Sequence, residues 1–313
     1  MKRFQFRLFF AAALVLLLPS SFAAAQAWVN PRGELSLALR SDYQTSSGVW
    51  HGSSLITGLP VTALNDSLEA EYIPVDHLGI GLTLAGNGVR YTGPQANPNN
   101  PNVVYAHGPS DDGSFHWNIT DLELNARYQV YDGAVTLTPI LRTRLPLSHY
   151  PTQGYAAAGS HLAEVGAGFY LGKYGLGLED LVLQASYVFT YVDKESEGGA
   201  ATEQFRVNRS DADLSLSYVI NEKFIAGLGA ALRITHDGYD LSNLDKQPVD
   251  PMLKLWHDPV ALARYVAPTA VASYQFTPAW SLAARFAIVA WGENVSNAIS
   301  FGLTLGWQSN LVE

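Results

Sequence analysis

Charged residues spaced two apart are the chain's densest chemical resource. Arg40 and Asp42, Glu69 and Glu71, Asp121, Glu123 and Arg127, Arg142 and Arg144, and Asp211 and Asp213 all follow this spacing. A spacing of two puts side chains on one face of a β-strand. Glu164, Arg233 and Arg285 belong to the polar faces of their own segments, as do Asn125 and Gln184. The set holds eight acids and six arginines. Its chemistry is electrostatic selection of solutes rather than bond making. The excess of carboxylates predicts a preference for cations or neutral solutes over anions. The plainer alternative is a packed polar interior with little selectivity of its own.

Bond-making chemistry has weaker signals. Hydrolysis by a serine nucleophile needs Ser and His in contact. The close pairs are His51 with Ser53, Ser148 with His149, and Ser160 with His161. A hydrolase of lipid or surface polymers is therefore the alternative function. Asp111, Asp112 and His116 share one loop, as the acids and histidine of a protease or a calcium site would. Asp-Asp-Gly is more often turn chemistry, and the ligand spacing of a calcium loop is missing. No Walker, Rossmann or zinc-helix motif occurs, so no cofactor and no metal are expected. The chain has no cysteine, which excludes disulfides and thiolate sites.

The elements that must hold the charged faces read as strands. Phe301, Leu303, Leu305 and Trp307 alternate with Ser300, Gly302, Thr304 and Gly306. One face suits lipid and the other water, as a membrane-spanning strand requires. This segment also resembles the C-terminal signal by which outer-membrane barrels meet their assembly machinery. Such barrels usually end on the aromatic, and here six residues follow Trp307. Similar alternation covers 33–42, 66–72, 78–91, 117–131, 134–145, 161–172, 181–192, 208–220, 224–236, 264–276 and 280–291, with 297–307 as the last. Each is near the roughly 9–11 residues that a tilted strand needs to cross a bilayer. Short links near 73, 132, 173, 221 and 277 alternate with links at 43–66, 92–116, 146–160, 193–207, 237–263 and 292–296. All but the last of these are long. Asp132-Gly133 reads as a two-residue hairpin turn. The pattern predicts an all-β fold: a transmembrane, antiparallel, up-and-down barrel of about twelve strands. It has short periplasmic turns and long extracellular loops. About eight strands leave a filled interior and sixteen or more an aqueous channel, so twelve permits a narrow pore or a plugged one.

Residues 1–27 read as a secretory signal, with Lys2, Arg3 and Arg7 before the apolar run Leu8 to Leu18 and Ala25-Gln26-Ala27 as the cleavage site. That run is shorter than the roughly 20 apolar residues of a spanning helix. Residues 28–313 then form a single barrel domain in the bacterial outer membrane. Losing the three leader cations moves the formal charge from -9 to -12, which argues against nucleic acid as a partner. The expected partners are outer-membrane lipid and lipopolysaccharide, the assembly machinery and a small solute.

Aromatics fall near both ends of the strands. Tyr72, Tyr128, Tyr131, Tyr218, Tyr274, Phe276, Trp280 and Trp307 lie near the short turns. Tyr91, Trp117, Tyr191, Tyr265 and Trp291 lie near the long loops. Two such belts fit two membrane interfaces. Pro94, Pro98 and Pro101 mark a segment that folds over the mouth as a lid or stays irregular.

The runs 111–133, 137–146, 149–168 and 208–218 together resemble a poorly characterised family of bacterial outer-membrane barrels. That family is grouped with proposed transporters of the phenol meta-cleavage pathway. The resemblance implies a transport-type barrel and assigns no residues or substrate. The leading expectation is a passive channel or small-molecule transporter. A closed structural or adhesive barrel that binds through its loops, 237–263 above all, is the third.

Overall fold

The computed structural model describes residues 27–94, 108–245 and 250–311. The expected leader lies outside the described residues except for Ala27, and most of the Pro- and Asn-rich segment, 95–107, lies outside them too. Fourteen strands follow one another: β1 (Glu34–His51), β2 (Ser54–Val75), β3 (Leu78–Tyr91), β4 (His116–Tyr128), β5 (Tyr131–Asp132), β6 (Thr136–Pro146), β7 (Glu164–Tyr174), β8 (Leu181–Val192), β9 (Arg209–Asn221), β10 (Phe224–Thr235), β11 (Arg264–Gln275), β12 (Trp280–Ile288), β13 (Trp291–Glu293) and β14 (Ile299–Asn310). The short β5 and β13 extend β4 and β12 past local breaks. The other twelve are the wall. Each pairs antiparallel with its neighbour, and β14 returns to β1 from Glu34↔Asn310 to Thr45↔Ile299. The sheet is a closed, up-and-down barrel of twelve strands.

Alternation decides which side each residue takes. Phe301, Leu303 and Leu305 lie 40–48% exposed on the outside, while Thr304 is buried inside. Leu305 pairs with Leu39 of β1, and Leu39 with Leu68 of β2, so outward leucines form a row across three strands. Such cross-strand rows are the unit of sheet packing, and here they present apolar surface to hydrocarbon. Among the described residues no helix is long and apolar enough to cross a membrane. A closed barrel has no need of one, because its backbone groups bond between strands.

The structure corrects several boundaries. The span 43–66 is not a loop: β1 and β2 stay paired up to His51↔Ser54, with Gly52 and Ser53 at the turn. These strand ends carry Thr, Ser and Gly outside the membrane, where apolar alternation is not required. The turn after β5 is 133–135 rather than Asp132-Gly133, since Asp132 pairs with Thr136. Tyr91 and Tyr265 are not belt residues. Tyr91 is fully buried among the loops, and Tyr265 lines an internal cavity. Nearness to an interface does not set the side; parity does, and Tyr91 shares the parity of the inward Gly79 and Gly81. A bulge opposite Leu84–Gly86 adds a residue to β4, keeping Trp117 and Ile119 outward while Asp121 points in.

Both ends of the lumen are occupied. At the periplasmic end, Ala27 is buried, its carbonyl accepts a hydrogen bond from Thr138, and the Val29 N–H donates to Gln129 at 2.8 Å. A side chain on Gly172 would collide with Ala27 and Trp28, so the glycine makes room for this segment. At the extracellular end the loops build a small apolar core from Val49, Leu59, Val89, Tyr91, Ala156 and Leu241. Tyr155 stacks on Tyr91 with centroids 4.8 Å apart.

If the outer surface meets lipid, Leu303→Arg is expected to lower barrel stability by about 2–4 kcal/mol, as a cation near the midplane does. Thr304→Ser, facing inward, is expected to have little effect. Refolding into vesicles followed by denaturant titration measures both.

Candidate functional site

The inward face of the wall holds every one of the fourteen charged residues expected there, and it sorts them into linked groups. Glu71 on β2 accepts a two-point bond from Arg127 on β4, at 2.6 and 2.7 Å. Glu164 on β7 does the same for Arg209 on β9, at 3.0 and 2.6 Å. Arg144 on β6 lies between carboxylates, 3.0 Å from Glu123 and 3.7 Å from Glu164. Asp211 is the hub of the basic side. It bonds Arg233 at 2.6 Å, Arg142 at 3.3 Å and Arg209 at 3.4 Å. Arg40 and Asp42 pair along β1. Paired, two-point bonds suit arginine's planar fork and keep buried charge satisfied.

Glycines give these side chains their space. A side chain at Gly302 would occupy the position of the Asp42 carboxylate, and one at Gly166 would press on Arg142. The remaining members are less tied. Glu69 accepts from Ser67 at 3.0 Å, Asp121 accepts from the Tyr150 hydroxyl at 2.9 Å, and Arg285 makes no hydrogen bond among the described residues. Eight of the fourteen line one cavity of about 290 Å³: Arg40, Asp42, Arg142, Arg144, Asp211, Asp213, Arg233 and Arg285. The cavity also takes Arg209, which the sequence reading passed over, and Tyr265, which it placed in an outer aromatic belt. Arg209 was within reach of that reading, because it continues the two-residue spacing of Asp211 and Asp213. Tyr150 was not: it comes from the loop after β6, and only the fold brings it to Asp121.

The loops are clamped by polar side chains. Buried Asp111 accepts from the N–H groups of Gly108, Tyr155 and Ala156 at 2.6–3.0 Å, which ties two loops together. Its carboxylate is a clamp rather than a catalyst. Asp112 is exposed and bonds His116 at 2.9 Å, which holds its carboxyl below the usual range. Asn294 accepts from Gly52 at 2.7 Å and Leu241 at 3.0 Å and donates to the Leu262 carbonyl. Among the described residues no group of three metal ligands gathers.

The expected Ser–His contacts do not supply a hydrolytic centre. Ser148 donates to the Ile119 carbonyl, His161 lies against His149 and Tyr150, and Ser53 is exposed while His51 is buried. A different pair does meet. Ser210 Oγ lies 2.8 Å from His236 Nε2 and 2.9 Å from the Tyr187 hydroxyl. Ser210 has the parity of the outward Leu214 and Leu216 near the extracellular rim, but its neighbours bury it. Phe189 covers the His236 ring. Among the described residues no carboxylate pairs with His236.

A closed twelve-stranded wall, apolar outside and charged inside, defines a transmembrane β-barrel of the bacterial outer membrane. No protein-family model and no curated protein matches the chain. Among solved structures, an outer-membrane channel from Pseudomonas putida F1 superposes with a TM-score of 0.67 at 14% identity, over 93% of this chain and 99% of that one. The NanC porin gives a TM-score of 0.49 at 14% identity, over 87% of this chain and 98% of its own. The first likeness establishes the fold, and function has to come from the residues.

The Glu164–Arg209 pair yields a stability test. Arg209→Met strands a buried carboxylate and is expected to cost about 3–5 kcal/mol. Adding Glu164→Gln removes that charge, so the double variant is expected to recover much of the loss in denaturant titrations.

Proposed function

We propose that this protein is a passive outer-membrane channel for small polar solutes, with the charged inner wall as its filter. The observation that carries this reading is the cavity of about 290 Å³ lined by arginines and aspartates inside a closed barrel. A purely structural barrel has no need of inward charge, which costs desolvation unless paired. The apolar loop core at the mouth makes loop movement the step that admits solute. Refolded protein in planar bilayers is expected to give discrete conductance steps, and Asn294→Ala is expected to raise the open fraction by unclamping the loops. The absence of both ionic current and solute flux at every voltage would overturn the channel.

The Ser210–His236 contact favours a second reading, hydrolysis of ester-linked lipid at the outer leaflet. Its position on the lipid side of the rim is where such a substrate lies. The serine and its base are present, while the third group that orients His236 is not among the described contacts. Turnover of a phospholipid ester by refolded protein, abolished in Ser210→Ala, would support it. Equal rates in both proteins would remove it.

A further inference from the structure

The cavity has a charge balance opposite to the one that the sequence count predicts. Six arginines line it: Arg40, Arg142, Arg144, Arg209, Arg233 and Arg285. Asp42, Asp211 and Asp213 are the acids on the same surface, which leaves three more positive than negative charges. Glu123 and Glu164 stand behind this wall and are bonded to Arg144 and Arg209. Asp121 also faces Arg144 and Glu69 faces Arg40, so the excess of cations belongs to the cavity surface itself and not to the lumen as a whole. Glu69 on β2 accepts a hydrogen bond from Ser67 and lies within the field of Arg40.

The hydrogen-bond balance points the same way. A guanidinium carries five N–H donors and no acceptor. Arg233 spends only Nε, on Asp211, and its ring contact with Tyr265 (5.8 Å) holds the fork at the cavity wall. Among the described residues Arg285 gives no hydrogen bond, and its charge faces Asp213. A cavity whose walls hold surplus N–H groups and surplus positive charge, inside a low-dielectric shell, favours a ligand with several acceptor oxygens and a negative charge. At about 30 Å³ per water-sized unit, the space holds roughly ten non-hydrogen atoms.

We propose that this cavity binds a small oxoanion, a carboxylate or a phosphate, held by the forks of Arg233 and Arg285. Where the channel reading also holds, anions pass the barrel along the β9–β12 side in preference to cations. The permeation part rests on the channel reading; the binding part does not. Arg285 is the sharpest probe. Among the described residues it has no hydrogen bond to lose, and its charged neighbour is Asp213, so replacing it leaves the hydrogen-bonded pairs of Asp211 and Glu164 in place.

The test uses the refolded full chain in detergent micelles, titrated calorimetrically with sodium benzoate and with sodium phosphate against sodium chloride at equal ionic strength. Wild-type protein is expected to bind at least one of the two. Arg285→Glu is expected to weaken that binding by about tenfold or more, the effect of losing a charge-assisted bond. Arg285→Gln, which serves if the acid variant does not fold, is expected to weaken it less. Glu222→Gln, in the exposed turn between β9 and β10, is expected to leave it within about twofold. In bilayers under a salt gradient, the wild-type reversal potential is expected on the anion side, moving toward cations in Arg285→Glu. No binding of benzoate or phosphate beyond that of chloride overturns the site. Binding unaffected by either Arg285 variant overturns its placement. Binding without conductance retains the site and ends the channel reading. Conductance that is cation-selective ends the anion path.

Discussion

Closure of the hydrogen-bonded wall is the constraint on which the rest of this molecule depends. In hydrocarbon an unpaired backbone N–H or C=O costs several kcal/mol, so a sheet can span a membrane only if it has no edge. The twelve consecutive residue pairs from Glu34↔Asn310 to Thr45↔Ile299 remove that edge. Once β14 is locked onto β1, parity is fixed all the way round. Leu39, Leu68 and Leu305 share the outer surface, and Arg40, Asp42 and Thr304 share the inner one.

The inner surface then has its own problem, which is charge held away from bulk water. The wall solves it by sharing. Asp211 serves three arginines, and Glu164 takes Arg209 at two points while also facing Arg144. Glycine on neighbouring strands opens the space these side chains fill, as Gly302 does for Asp42 and Gly166 for Arg142. The sharing is uneven around the barrel. Glu71 and Arg127 neutralise each other on the β2–β4 side, whereas Arg233 on β10 and Arg285 on β12 keep N–H groups that no described residue accepts. That unevenness, rather than total charge, is what gives the lumen a chemical direction.

The extracellular end follows a different rule. There the strands have left the membrane, the β1–β2 hairpin continues with polar residues, and the loops fold onto one another around Tyr91 and Tyr155. Polar clamps fix this arrangement. Asp111 and Asn294 each take backbone N–H groups from separate segments, which replaces the strand ladder where the chain is irregular. Their residue types suggest turns or metal ligands, and only their burial identifies them as fasteners.

The sequence by itself determined the strands and their sides. Alternation with a period of two survives in any window, so 78–91, 181–192 and 224–236 could be read to within a residue, and the inward parity of Arg142 and Arg144 with them. It also carried the clue to Arg209, two residues before Asp211. Tertiary structure alone decided which charges meet. Arg209 and Glu164 are 45 residues apart, and their contact depends on the register between β7, β8 and β9. Spacing along a strand records which face a side chain takes, but a charge's partner sits across a strand pair or across the lumen, at a distance that closure sets. For the same reason a count of acids and arginines could not reveal that six arginines line one cavity.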